Sequence, residues 1–235
     1  MVEFNQTVIL LIDNLCDFTK GLQMKNAIIF DLDGTLWDSS QPVTGSWNEI
    51  LGKYPEARQI TLGDMHGFMG KQMDEIARMI MPDLPDSHRM TIMDECMEHE
   101  LTYLKKHGGA TLYPKVRETL EILGKTHKLM IVSNCQDGYI QTFLEFSGLG
   151  ELFGDFESAG ATGLSKGENN KLVIARNRID RAIYIGDTQG DLDSADFAGI
   201  PFVHAAYGFG KINRQTAQAN FFEEIPNIVK EIFGD

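Results

Sequence analysis

Ile28-Ile29-Phe30-Asp31-Leu32-Asp33-Gly34-Thr35-Leu36 decides the fold: a short apolar run ends in two carboxylates one residue apart, followed by a glycine. Residues 27–30 have the apolar, β-branched character of a central parallel strand buried on both faces. Asp31 then stands at the strand's carboxyl end, the edge where open α/β sheets bind ligands. In an extended or just-turning segment, positions i and i+2 face the same side, so Asp31 and Asp33 can converge on one pocket. Two close anions repel, and the pattern therefore calls for a cation.

Outward from this stretch, the 235 residues suffice for one sizeable core and a small second one. A hydrophobic share of 43% and a charged share of 23% are those of an ordinary globular chain, which excludes a disordered or fibrous protein. The formal charge of -13 argues against a nucleic-acid partner, because phosphate backbones are held by clustered Lys and Arg. Three cysteines, Cys16, Cys96 and Cys135, have neither a disulfide framework's even number nor metal-ligand spacing. They point to a reducing cytoplasm. Val8-Ile9-Leu10-Leu11-Ile12 is too short to span a bilayer and follows Glu3 where a signal peptide would be basic, so no membrane partner is expected. Residues 1–23 read as a dispensable N-terminal extension, and a chain starting at Met24 is expected to fold and turn over normally.

Beyond Ser40 the pattern becomes helical. Met73, Ile76 and Ile80, then Met93, Met97, Leu101 and Leu104, recur at helical spacing. Ser87 is expected to cap the helix that runs toward Lys106, with Pro82 and Pro85 in the turn before it. The many methionines suit an adaptable packing surface. From Tyr113 onward strands and helices alternate: strands at 129–132, 182–185 and 201–203, and helices from Pro114, at 139–146, 168–177, 191–198 and 225–233. Repeated βα units imply a doubly wound, mainly parallel α/β sheet with right-handed crossovers.

Three strand ends carry polar groups in chain order: Asp31 and Asp33, then Ser133 and Asn134, then Asp187 with Asp191 one turn later. Asp31-Leu32-Asp33-Gly34-Thr35, Val132-Ser133-Asn134, Ser165-Lys166-Gly167 and Gly186-Asp187-Thr188-Gln189-Gly190-Asp191 together resemble the four motifs of the haloacid dehalogenase-like superfamily, over nearly all of the chain from Met24. The resemblance implies a Rossmann-like core at 24–42 and 110–235. It also implies a small all-helical cap at 43–109, similar to that of phosphoglycolate phosphatase-like and β-phosphoglucomutase-like members. The dehalogenase branch lacks the second aspartate, so Asp33 points to phosphoryl transfer. The third motif departs from the Lys-Pro often seen in the family.

The roles follow from the chemistry. Asp31 can attack phosphorus and form an acyl phosphate that water hydrolyses. Asp33, beside other anions, holds a proton more readily and can serve as acid and then base. Asp187 adds negative charge that a hard dication would offset, and all-oxygen ligation by Asp31, Asp33, Asp187 and Asp191 suits Mg2+. Asp191 is equally at home on a solvated helix face. Ser133 and Asn134 would bind phosphoryl oxygens. Lys166 would offset charge on Asp31 and the phosphate, with Lys171 as its competitor.

In the helical insert His66 and Lys71, flanking Gly67-Phe68-Met69-Gly70, are the expected specificity residues. Segments 39–45 and 108–113 supply the Gly and Pro expected of hinges. Cys135 reads as a packed thiol and His204 as a boundary residue. The expected function is a magnesium-dependent phosphatase acting on a small phosphomonoester through an aspartyl-phosphate. The alternatives are a phosphosugar mutase and a non-catalytic phosphate-sensing module.

Overall fold

The computed structural model describes residues 24–234. The expectations placed on residues 1–23, and the comparison with a chain starting at Met24, lie outside the described residues. The described chain enters through β1 (Asn26–Phe30), makes the two-residue strand β2 (Trp37–Asp38), and passes through helices α1 (Ser40–Leu51), α2 (Leu62–Phe68), α3 (Met73–Ile80) and α4 (Asp86–His107). It returns through β3 (Thr111–Leu112), α5 (Val116–Leu123), β4 (Lys128–Ser133), α6 (Tyr139–Ser147) and β5 (Phe153–Ser158). A single turn α7 (Ala159–Thr162), α8 (Lys166–Asn177), β6 (Arg181–Gly186), α9 (Gln189–Ala198), β7 (Phe202–Ala205), β8 (Ala217–Ala219) and α10 (Ile225–Phe233) complete it.

β1 lies inside a six-stranded sheet of order β5-β4-β1-β6-β7-β8, and every pairing in it is parallel. The pleat explains why β1 is apolar throughout. Ile28 and Phe30 face a layer containing Leu120, Phe143, Ile225 and Val229, whereas Ala27 and Ile29 face Val173, Leu192 and Ala195 on the other side. Ile28, Ile29 and Phe30 are fully buried, and each such side chain stabilises the fold by about 1.5–3 kcal/mol. The doubly wound parallel sheet expected from the sequence is thus present. Because β1's neighbours are β4 on one side and β6 on the other, the chain diverges at its carboxyl end and opens a crevice there.

The four helices between β2 and β3 pack around a separate apolar core that includes Trp47, Phe68, Ile76, Ile80, Ile92 and Met93. Their stem is the antiparallel β2–β3 pair, Trp37 opposite Leu112 and Asp38 opposite Thr111. Several expected boundaries shift for local reasons. Residues 40–45, read as a connection, belong to α1, because Asp38 Oδ1 accepts from Ser40 N (2.9 Å) and Ser40 Oγ (2.6 Å) and starts the helix there. Pro42 is tolerated in its first turn, where its missing N–H has no intrahelical role. Ser87 does not cap α4, which begins at Asp86 after Pro85. β5 carries Gly154, Asp155 and Glu157 on a half-buried edge, so it lacks the apolar run that marked the other strands.

Candidate active site

Asp31 leaves β1 with its backbone still in the sheet, its N–H donating to Ile185 O at 2.8 Å. Its side chain is buried, and Oδ1 accepts from Lys166 Nζ at 3.0 Å. Lys166 reaches it because Ser165 and Glu168 form a capping box that starts α8 at Lys166 itself, two residues earlier than the sequence suggested. The same ammonium donates to Asp191 Oδ1 at 2.7 Å. Lys171 lies elsewhere, 4.1 Å over the Phe197 ring, which settles which of the two lysines meets the carboxylates. Burial, then the charge of Asp191, push Asp31 up to about 7 against the pull of Lys166. Burial pulls Lys166 down, but Asp191 and Asp31 outweigh it and hold the ammonium above its usual range.

Asp31, Asp187 and Asp191 offer carboxylate oxygens that all lie within 4.8 Å of one another, and all three residues are buried. Their duties differ. Asp191 is bonded on both oxygens: Oδ1 to Lys166 and to Tyr184 Oη (3.3 Å), and Oδ2 to Asp187 N (3.1 Å), Thr188 N (2.9 Å) and Thr188 Oγ1 (2.7 Å). It closes the capping box of α9 and shapes the loop, which explains why it lies inside and not on a solvated face. Asp187 accepts from Phe209 N (2.8 Å) and Gly210 N (3.1 Å) through Oδ2, whereas its buried Oδ1 has no hydrogen-bond partner. Burial first, then the charges of Asp191 and Asp31, raise Asp187 well above the usual carboxylate range. An orphaned buried oxygen beside a second carboxylate is what a hard cation satisfies, so the residues present fit a metal ion. Gly34, with φ +83°, permits this approach: a Cβ there would lie 2.5 Å from Asp187 Oδ2.

Asp33 is set apart from that triad. Its Oδ1 accepts from Trp37 Nε1 (2.8 Å), Tyr139 Oη (2.9 Å) and Ser39 Oγ, which hold the carboxyl between β2 and α6. Burial raises its pKa although these donors oppose the rise. Asp31 and Asp33 nevertheless line the same cavity, as their i, i+2 spacing led one to expect, although the backbone turns immediately after Asp31, with Thr35, Leu36 and Trp37 N–H groups all directed at Leu32 O.

A cavity of about 50 Å³ lies between the sheet edge and the insert, with Asp31, Asp33, Ser133 and Asn134 on one side and Lys71 and Glu100 on the other. Ser133 is buried at the end of β4. Asn134 donates to Gly70 O at 3.0 Å, so it ties the insert to the sheet edge while its buried Oδ1 stays unpaired. Lys71 lines the cavity and pairs with Glu75. His66 does not line it. That ring stacks on Phe209 at 5.0 Å and meets Ser40 Oγ at 3.2 Å. Cys135 is buried with its thiol pushed well above the usual range, as a packed thiol should be. His204 is buried and bonded to Asp187 O at 3.1 Å, so it steadies the loop. Sequence reasoning passed over Glu100, whose Oε1 accepts from Gln136 Nε2 at 3.1 Å and whose Oε2 accepts from Trp47 Nε1. Burial pushes Glu100 up to about 8. A carboxylate at an inward position among apolar neighbours of α4 was the available signal.

This fold and arrangement define a haloacid dehalogenase-like hydrolase. The family model of that description matches residues 28–205, and the chain belongs to the family. It is 27% identical over 216 residues to a phosphoglycolate phosphatase of Rhodobacter capsulatus, covering 88% of this chain and 98% of that protein. It is 26% identical over 171 residues to pyrophosphatase PpaX of Listeria monocytogenes, covering 71% and 76% respectively. Among solved structures, a haloacid dehalogenase-like family hydrolase from Streptococcus pneumoniae superimposes with a TM-score of 0.74 at 22% identity, over 88% of this chain and 98% of that one. The chain is accordingly a hydrolytic enzyme of phosphoglycolate phosphatase-like type. Among the described residues no helix is long and apolar enough to cross a membrane.

Proposed function

We propose that the chain is a magnesium-dependent phosphatase of small phosphomonoesters that works through an aspartyl-phosphate on Asp31. The observation that carries this reading is Asp31 itself: a buried carboxylate clamped by Lys166, facing a small cavity and flanked by the unpaired Oδ1 of Asp187. Asp31 and Asp187 would hold the cation, with Asp191 fixing the loop that presents Asp187. When bound, the cation would neutralise carboxylate and phosphoryl charge at the sheet edge.

Asp31 attacks phosphorus, the bond to the leaving oxygen breaks, and Asp33 delivers a proton to that oxygen. Its raised pKa favours the protonated form that this step needs. Water then attacks the phosphoryl group, Asp33 takes the water's proton, and Asp31 leaves as carboxylate with inorganic phosphate released. Lys166 would offset the charge on Asp31 throughout, and Ser133, which lines the cavity, would donate with the adjacent backbone to the phosphoryl oxygens. The helices between β2 and β3 act as a cap, and their boundaries at 43–109 are part of this proposal.

A phosphosugar mutase would share the first step. The cavity of about 50 Å³ has room for roughly three to five water molecules, which favours a short leaving group over a sugar bisphosphate. The deciding experiment measures phosphate release from a panel of sugar, nucleotide, glycolate and cofactor monophosphates with magnesium. Release from at least one small ester, abolished by Asp31→Asn, is expected. Isomerisation without phosphate release would replace the reading by the mutase.

A further inference from the structure

Glu100 is a buried carboxyl that the proposed chemistry leaves unused, and it forms part of the cavity wall opposite Asp31. It sits on α4, 3% exposed, among side chains that are otherwise apolar where they meet the cavity: Val43, Trp47, Met65, Met73 and Ile76. A purely packing role would be better served by a leucine, because burying a carboxyl costs free energy unless its bonds are met. The bonds it has come from two neutral N–H donors, Trp47 Nε1 and Gln136 Nε2, one from the insert and one from the loop after β4. These donors use one acceptor position on each oxygen. A carboxylate has further lone pairs, and a protonated carboxyl also has a proton to give.

We propose that Glu100 reads the leaving alcohol, and that the preferred ester is the monophosphate of a short alcohol bearing a second hydroxyl rather than a carboxylate. This rests on the phosphatase reading above and narrows its substrate class. A hydroxyl both donates and accepts, so it can satisfy Glu100 in either protonation state. A carboxylate only accepts, so it can meet Glu100 only while Glu100 keeps its proton, and it would enter a cavity that already holds Asp31 and Asp33 on its other side. Among the described residues lining the cavity, Lys71 is the only cation, and Glu75 already pairs with it. The small cavity restricts the alcohol to a short chain, and the surrounding methionine and aliphatic surface accommodates its carbon atoms. In this respect the chain departs from the substrate named for the phosphoglycolate phosphatases it is similar to.

The test compares kcat/KM for glycerol monophosphate and glycolate monophosphate, with an aryl phosphate as a third substrate, in the wild-type enzyme and in Glu100→Gln and Glu100→Leu. The wild type is expected to prefer the glycerol ester by about tenfold or more. Glu100→Leu is expected to erase the preference, chiefly through KM. Glu100→Gln, which keeps hydrogen-bonding capacity at the same volume, is expected to retain part of it. Equal or greater efficiency on the glycolate ester in the wild type overturns the substrate class. An undiminished preference in Glu100→Leu overturns the role of Glu100; should that variant not fold, an undiminished preference in Glu100→Ala does the same. Absence of phosphate release from all three substrates is a different failure: it removes the phosphatase reading itself.

Discussion

The sheet edge and the helical wall face each other across one cavity, yet they hold their polar groups in opposite ways. At the sheet edge charge meets charge: Lys166 bridges Asp31 and Asp191, and Asp191 is bonded on both oxygens to loop and lysine. On the helical wall, a lone buried carboxyl meets only neutral donors amid methionine and aliphatic surface. The first arrangement fixes atoms for one chemical event and tolerates little change. The second selects by shape and a single hydrogen-bonding group, and can be altered without removing the chemistry.

The comparison is broken most directly at Asp31. Asp31→Asn is expected to lower kcat by about a thousandfold or more, some 4 kcal/mol of transition-state stabilisation, with the thermal transition retained. Phosphate release within tenfold of wild type would remove Asp31 as nucleophile and with it the division of labour. Chelation comes next: activity should vanish with a strong chelator and return with magnesium. Calcium, with longer bonds and more ligands, should restore it poorly. Magnesium should also raise the melting temperature, because it binds the folded arrangement of Asp31 and Asp187 and not the unfolded chain. Full turnover after exhaustive chelation would leave Asp187 Oδ1 without the partner assigned to it. Asp33→Asn is expected to cost about a hundredfold to ten-thousandfold and to slow both formation and hydrolysis of the acyl phosphate, which rapid-quench kinetics can separate. Loss in one step alone would assign the other proton transfer elsewhere.

The two regions also differ in how far the sequence exposed them. Residues 28–31, 129–133 and 182–187 announce central strands ending in polar groups, because a strand buried on both faces must be apolar and the crevice must be polar. Lys166 was legible only through the resemblance to the third motif and its place before a helix, with Lys171 as competitor, and its position inside α8 depends on a Ser165–Glu168 capping box. What stayed hidden depends on chain folding over long separations. Glu100 meets Trp47 and Gln136 across 53 and 36 residues, and nothing local marks that meeting. Asp33 was legible from its spacing to Asp31, and the two line one cavity, but its bonds to Trp37, Ser39 and Tyr139 depend on the turn and on a helix 106 residues away. The half-buried edge strand β5 lacks an apolar signature altogether, since its Asp155 and Glu157 pair with Arg176 on α8.

On the helical wall smaller effects are expected, and they test whether that wall governs selection. Lys71→Ala should reorder substrates by kcat/KM while changing activity on a small aryl phosphate by less than about tenfold, or ~1.4 kcal/mol. Stability adds a pH test. Asp31 and Glu100 have native pKa values of about 7 and about 8, above those of an unfolded chain, so the folded protein binds more protons than the unfolded one in between. Metal-free protein should therefore lose melting temperature as pH rises from about 4.5 to 8, since at Asp31 burial outweighs the ion pair with Lys166. Glu100→Gln should flatten the upper part of that decline. An unchanged slope would show that Glu100 stays charged in the fold.

The smallest effect belongs to His66, and it is the one that most sharply divides the two regions. The sequence assigns His66 and Lys71 alike to specificity, as neighbours on the same insert. The structure separates them: Lys71 lines the cavity, whereas His66 stacks on Phe209, whose N–H donates to Asp187 Oδ2. His66 therefore touches the segment between β7 and β8 whose N–H groups hold the proposed metal ligand, and has no wall position from which to read a leaving group. Removing the ring takes away one face of Phe209's packing, a contact worth about 0.5–1.5 kcal/mol for an aromatic pair. If that loosening reaches the Phe209 N–H, His66→Ala should raise the magnesium concentration for half-maximal activity by about two- to tenfold and leave the substrate ranking as in the wild type. Titrating magnesium at saturating ester, for two esters of different leaving group, measures both quantities. A changed ranking with an unchanged magnesium requirement would return His66 to the selecting wall, and would mean that the boundary between chemistry and selection does not run along the contact between His66 and Phe209.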